Sequence, residues 1–143
     1  MRRFPSGIAV LTVPVPYGVT IGSLVSLSLE PALVGVSIGR DAQALELVRE
    51  AGGFAISVLA GNQATLAQHF ARSVPPIVQW EGVEVRAAAR GPLLEGAVSW
   101  LECAVESEHP AGDHTFFVGA VERIELGRKE PGLVYRDGRY LPA

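Results

Sequence analysis

The sequence predicts a mainly β domain with two or three short helices, arranged as a small barrel with helical caps. Three observations lead there. The apolar residues fall mostly in short, β-branched runs bounded by proline and glycine turns. Only two segments switch to a helical period, too few for a doubly wound parallel sheet, where helices alternate with strands throughout. The chain has 143 residues, 48% hydrophobic and 19% charged. That is one domain's worth of sequence with a real core, since a chain of this size buries roughly 68–70% of the surface it exposes when unfolded.

In chain order, Gly7-Ile8-Ala9-Val10-Leu11-Thr12-Val13 reads as the first strand and Pro14-Val15-Pro16-Tyr17-Gly18 as a turn. Val19 to Ser28 reads as a second strand with an irregular Gly- and Ser-rich middle, ended by Glu30-Pro31. Leu33 to Ile38 is apolar enough to be central. Ala44, Leu45, Leu47, Val48 and Ala51 then share one helical face, with Asp41 placed to cap the start and Gly52-Gly53 to stop the helix. Phe54 to Leu59 is a buried strand. Asn62 is placed to cap a second helix running to about Ala71, with Leu66, Ala67 and Phe70 inward. Ser73 to Gly82, containing Pro75-Pro76, reads as a loop long enough to form a lid or rim. In Trp100 to Glu106, Leu101, Cys103 and Val105 point inward and the glutamates outward. Pro110 to Asp113 is a turn, and Thr115 to Val121 returns as the partner strand. Leu133-Val134-Tyr135, Asp137-Gly138 and Arg139-Tyr140 form a closing hairpin, because Asp-Gly suits a two-residue turn.

Charge and cysteine content narrow the function classes. Twelve basic residues face fifteen acidic ones, a net charge of −3, and Lys129 is the only lysine. No basic run is present, which argues against a nucleic-acid partner. The single cysteine, Cys103, excludes an internal disulfide and a thiolate-rich zinc site, and a reducing cytoplasm is the plainer compartment. Residues 4–29 carry no charge and follow Met1-Arg2-Arg3. Pro5, Gly7, Pro14, Pro16, Gly18 and Gly22 interrupt that stretch, and four serines and two threonines dilute it. It reads as strands joined by a turn, not as a signal peptide or a membrane span.

Several patterns bear on chemistry. Gly35-Val36-Ser37-Ile38-Gly39 matches the G-x-S-x-G nucleophile elbow, but an elbow serine sits between a strand's end and a helix's start, whereas Ser37 falls inside a strand. Asp113-His114 follows it in the right order, yet neighbours on a strand face opposite ways and make a poor acid–base pair. His69, His109 and His114 fit no zinc spacing, so no metal site is expected. His69 reads as a solvated or partly packed helix residue and His109 as a turn residue. Neither G-x-G-x-x-G nor a Walker loop occurs. An anion site of another kind stays open: the strand ending at Gly39 passes through Arg40 to a helix start. Free N–H groups and a guanidinium there can hold a phosphate, although Asp41 competes for those donors. Thr20 to Ser28 is the oddest stretch. Gly22, Ser23, Ser26 and Ser28 inside an apolar run allow a flat polar ring to approach the backbone, and equally suit a bulged edge strand with outward serines.

The order of these motifs resembles the flavin reductase-like family of FMN-binding split barrels. Phe4-Pro5-Ser6-Gly7-Ile8-Ala9-Val10-Leu11-Thr12 is similar to that family's opening F-x-[ST]-G-[VI]-x-V-[VL]-T. Gly18-Val19-Thr20-Ile21-Gly22-Ser23-Leu24-Val25-Ser26-Leu27-Ser28-Leu29-Glu30-Pro31 resembles its flavin loop, G-[MV]-T-A-N-S-F-x-S-[VL]-S-x-[DE]-P. Gly53 to Leu59 resembles its next strand, and Gly112-Asp113-His114-Thr115-Phe116-Phe117-Val118-Gly119-Ala120-Val121 its G-D-H-x-[IF]-[FV]-[VI]-G-x-V. Tyr135-Arg136-Asp137-Gly138-Arg139-Tyr140 resembles its closing Y-x-x-G-x-Y. The matches cover nearly the whole chain, so residues 1–143 form one split-barrel domain.

The resemblance implies a homodimer that binds FMN, or FAD, near the subunit interface, with NAD(P)H as co-substrate and hydride transfer to the flavin as the reaction. Thr20, Ile21, Gly22, Ser23, Ser26 and Leu27 would contact the isoalloxazine ring and ribityl chain. Gly39, Arg40 and Asp41 would lie near the phosphate, and His114 on the flavin and nicotinamide side. No protein acid or base is required, since the flavin carries the redox chemistry. A partner oxygenase that consumes reduced flavin fits the same reading. The chain departs from the family at Gly22, where Asn is usual, at Leu24 for Phe, and at Ala42 and Ala44 for Ser and Thr. Each lost phosphate bond weakens binding by roughly 1.5–3 kcal/mol, which makes the flavin a dissociable substrate unless Arg40 compensates. The alternatives are a non-catalytic flavin-binding electron carrier and a degenerate split barrel acting as a binding module.

Overall fold

The computed structural model describes residues 1–143. Its elements in order are β1 (Ser6–Gly7), β2 (Ala9–Val13), β3 (Tyr17–Ile21), β4 (Val25–Leu29), β5 (Ala32–Gly39), α1 (Ala44–Ala51), β6 (Gly53–Val58) and α2 (Ala64–Phe70). There follow α3 (Pro76–Gln79), β7 (Val85–Arg86), β8 (Leu93–Leu94), β9 (Ser99–Ala111), β10 (His114–Leu126), β11 (Leu133–Arg136) and β12 (Arg139–Pro142). Seven strands form one antiparallel sheet in the order β3-β2-β6-β9-β10-β5-β4, and smaller sheets join β1-β11-β12 and β7-β8.

That order fixes the shape. β3 and β4 are consecutive in the chain yet occupy opposite edges of the sheet. In a flat sheet the outer two of seven strands lie about 29 Å apart, at about 4.8 Å per spacing. Only Gly22, Ser23 and Leu24 join them, and the four Cα steps from Ile21 to Val25 reach about 14 Å at most. The sheet must therefore curl until its edges nearly meet. β3 and β4 do not pair with each other, so the curled sheet stays open along one seam, a split barrel. The single strand expected over Val19–Ser28 is thus two strands, broken where glycine and serine lower the strand propensity.

The barrel interior is filled by Leu11, Val13, Val36, Ile38, Phe54, Ile56, Leu101, Cys103 and Phe117, and α1 adds Ala44, Leu45 and Val48 to the same cluster. A second cluster of Ile8, Val10, Leu59, Leu94 and Leu133 lies under Ala67 and Phe70 of α2. β2 separates the two clusters and is buried at all five positions, which is why its sequence is apolar without alternation.

Local signals succeed where the chemistry is local. Gly52 ends α1 in the left-handed region at φ 67°. Asp137 and Gly138 turn the closing hairpin at φ 51° and 80°. The expected caps do not form. α1 begins after Gln43 and α2 after Gln63, with no side-chain cap at either. Asp41 is held back by a turn in which the Ala42 N–H donates to the Gly39 carbonyl at 3.0 Å. Asn62 precedes Gln63, whose side chain accepts the Ala60 N–H at 2.9 Å and donates to the Glu95 carbonyl at 2.9 Å. Ser73–Gly82 is not a lid. Its α3 carries the fully buried Gln79, which accepts the Gly18 N–H at 2.9 Å and donates to the Gly18 carbonyl at 2.7 Å. Trp80 Nε1 also donates to the Pro16 carbonyl at 3.1 Å. Glu102, expected outward, is buried and accepts the Arg90 N–H at 3.1 Å, because the segment before β8 folds over β9.

Candidate functional site

At the seam the chain leaves a cleft of about 250 Å³. Val19, Thr20, Ile21, Gly22 and Ser23 form one wall; Ser37, Ile38, Gly39, Ala42 and His114 form the other. The walls come from opposite edges of the sheet, so only the curling brings them together. His114 opens β10 directly opposite Gly39 of β5. Nothing lies within 4 Å of where a Gly39 side chain would begin, so the floor there is bare backbone. A larger groove, about 680 Å³, lies elsewhere among Glu84, Glu95, Glu125 and Glu130, with Arg128 the one basic residue. Its carboxylates repel a nucleotide phosphate.

Of the three hydroxyls lining the cleft, at Thr20, Ser23 and Ser37, the first two are used inside the protein. Thr20 Oγ1 donates to the Ala67 carbonyl at 2.6 Å. Ser23 Oγ donates to the Ser37 carbonyl at 3.1 Å and accepts the Ser37 N–H at 3.0 Å. The main-chain N–H groups of Gly22, Ser23 and Leu24 have no partner in the chain. Those of Gly22 and Ser23 lie on the cleft wall, where open donors beside a bare floor suit the acceptor-rich edge of a planar heterocycle such as a flavin.

Of the residues expected at a site, Thr20, Ile21, Gly22, Ser23, Gly39 and His114 line this cleft. Ser26 and Leu27 do not. They lie exposed on β4, where Leu27 is the extra residue of a bulge between Ser26 and Ser28. Arg40 and Asp41 are exposed just beyond Gly39 and flank the cleft without lining it. The Arg40 N–H donates to the Asp113 carbonyl at 2.9 Å, tying that turn to the β9–β10 hairpin. Sequence reasoning did not place Val19, Ser37 or Ile38 in the wall, and reached position 42 only as a phosphate-turn position where alanine stands for serine. The available signal was the alternation of Gly35, Ser37 and Gly39, which puts small residues on one face of β5.

Asp113 and His114 pair after all, Oδ1 to Nδ1 at 2.7 Å. Strand alternation does not separate them because Asp113 sits in the turn with Gly112, which has φ 65°. The hydrogen bond from His114 and then its charge hold the Asp113 carboxyl below the usual carboxylate range, and Arg40 adds to this. With Nδ1 engaged, Nε2 is the ring nitrogen left for a ligand. His69 bonds instead to the Gln79 carbonyl at 2.5 Å, and His109 to Ser107 Oγ at 3.1 Å. No three His, Cys, Asp or Glu side chains converge in a way that would hold a metal. Cys103, the one thiol, is buried in the core with its pKa pushed up to about 12, chiefly by desolvation. Ser37 and His114 both border the cleft, but no hydrogen bond joins the Ser37 hydroxyl to the ring, so the arrangement suits binding and orientation.

Residues 1–143 match the family model described as flavin reductase like domain. The chain is 40% identical over 149 residues to the NADH-dependent FMN reductase AsuE2 of Streptomyces nodosus subsp. asukaensis, covering 98% of this chain and 80% of that protein. Its fold superposes on the NADH:FAD oxidoreductase SgcE6 of Streptomyces globisporus C-1027 with a TM-score of 0.94 at 35% identity, covering 99% and 87% of the two chains. BorF, the flavin reductase component of a bacterial two-component tryptophan halogenase, gives a TM-score of 0.91 at 35% identity, covering 99% and 94%. A family match over the full length, a seam cleft built from the motif residues and a shared split barrel agree: the chain belongs to the flavin reductase like domain family.

Proposed function

We propose that this protein is an NADH-dependent flavin reductase that binds FMN or FAD in the seam cleft and hands reduced flavin to a partner oxygenase. The observation that carries this is the pair of unpartnered N–H groups at Gly22 and Ser23, in the same cleft as the bare backbone at Gly39 and the His114 ring. A bound flavin supplies the redox chemistry by accepting hydride from the nicotinamide. The chain binds and orients: the seam backbone meets the ring, Arg40 lies toward the phosphate, and His114 presents Nε2 on the nicotinamide side. Ala42 and Ala44 offer no hydroxyl to a phosphate, which favours a flavin that exchanges, as supply to a partner requires. The names of AsuE2, SgcE6 and BorF support the nucleotide and the partner class.

The working unit in this reading is a cytoplasmic homodimer. β4 is an edge strand whose Val25, Leu27 and Leu29 are exposed, Leu29 by 89%, and a second copy is a fitting cover for them. No helix is long and apolar enough to cross a membrane. Light scattering is expected to give about twice the 15.1 kDa chain mass.

The deciding measurement is the visible spectrum of the protein with FMN, and then NADH, without oxygen. Shifted flavin bands that bleach far faster than free flavin are the expected result. Shifted bands that stay oxidised with NADH or NADPH make the protein an electron carrier. Unshifted bands at saturating flavin overturn the cleft as a flavin site.

A further inference from the structure

The seam holds one feature that flavin contact alone does not explain. β4 pairs with β5 through Val25↔Gly35 and Ser26↔Val34. Continued by two residues, the Val25↔Gly35 register places Ser23 opposite Ser37. A regular strand there would join the two main chains through N–H and C=O groups of both residues. The Ser23 hydroxyl does this instead, accepting the Ser37 N–H at 3.0 Å and donating to the Ser37 carbonyl at 3.1 Å. One side chain replaces a rung of main chain. The consequence is that the Ser23 N–H, which a regular rung would pair with Ser37, remains unpartnered at the cleft beside that of Gly22.

We infer that Ser23 is a positioning residue: its hydroxyl clasps Ser37 and thereby keeps the Ser23 backbone donor, next to that of Gly22, out of the sheet and open to a flavin. This rests on the cleft being the flavin site. It assigns the Ser23 side chain to the fold and not to the ligand, and it gives the Gly35-x-Ser37-x-Gly39 pattern a purpose. Ser37 needs a main chain free on the seam side, and a glycine at 39 leaves the floor clear below it. The clasp extends by one position the pairing through which β4 joins the seam connection to β5.

The test compares wild type with Ser23→Ala and Ser23→Thr, reading two quantities. The first is hydrogen exchange of the Ser37 amide, followed by NMR on the flavin-free protein. The second is the FMN dissociation constant, with KM and kcat for flavin. Ser23→Ala is expected to speed Ser37 exchange about tenfold and to weaken FMN about tenfold, the size of one or two lost hydrogen bonds. The loss falls on KM more than on kcat, and Ser23→Thr, which keeps the hydroxyl, restores both readings. Weaker FMN binding with unchanged Ser37 exchange overturns the proposal, since the hydroxyl would then contact the ligand itself. Faster exchange with unchanged FMN affinity overturns the positioning role. Failure of wild type to bind FMN removes the flavin reading and the positioning role with it, while the flavin-free exchange comparison still shows whether the clasp exists.

Discussion

Arg40 and Asp113 are both exposed, and each is bound to the cleft by a different atom. The Arg40 main chain is fixed by its bond to the Asp113 carbonyl, which leaves its guanidinium free to meet a phosphate just past Gly39. Arg40→Ala is therefore expected to weaken FMN about tenfold and leave riboflavin unchanged, as measured by fluorescence titration. An equal loss for both ligands removes the residue from the phosphate. Asp113 tests the electrostatics of the same corner. Its carboxyl is depressed by the hydrogen bond from His114, so its share of stability is present above the unfolded carboxylate pKa and is lost as the pH falls through the lower folded value. In His114→Asn the Asp113 titration midpoint, followed by NMR, is expected to move back up. Of the residues expected at a site, Thr20, Gly22, Gly39 and His114 border the seam cleft. The sequence reading misjudged the Asp113–His114 pair, because alternation was applied to a residue that the Gly112 turn takes out of the strand.

Elements whose ends are set by their own residues were legible, and those set by distant partners were not. The α1 stop at Gly52 and the hairpin at Asp137-Gly138 need only a residue that tolerates positive φ. The start of α2 depends on Gln63, whose amide reaches Glu95, a residue distant in sequence. α3 is the clearest case. Its Gln79 side chain caps the free edge of β3 by bonding both main-chain groups of Gly18, so a proline-rich segment that reads in sequence as a lid or rim is a strap pinned to the sheet. Gln79→Ala strips two buried polar groups of their partners and is expected to cost about 3 kcal/mol, seen as a lower urea midpoint with the slope unchanged. A variant within about 0.5 kcal/mol of wild type shows that water replaces the amide and that the strap is not held by it.

At the scale of the whole molecule, Cys103 reports on the barrel. It is fully buried in the core, and burial first, then the nearby Glu122 charge, push its thiol up to about 12. Labelling by a thiol reagent near pH 8 is expected only through global opening. FMN at about 100 times its dissociation constant then slows labelling by about a hundredfold, since it binds only the folded state. Fast labelling that ignores FMN contradicts both the closed core and the site. The sequence by itself determined the strand-rich composition, the two helices, the closing hairpin and the motif order that marks the family, because each depends on neighbours along the chain or on residue type. Only the tertiary structure decided that β3 and β4 lie at opposite edges, that their three-residue connection curls the sheet, and that Ser23 meets Ser37 across the seam. The reason is physical: strand pairing joins residues by register between distant segments, and a sequence read locally contains the period of each strand but not the identity of its partner.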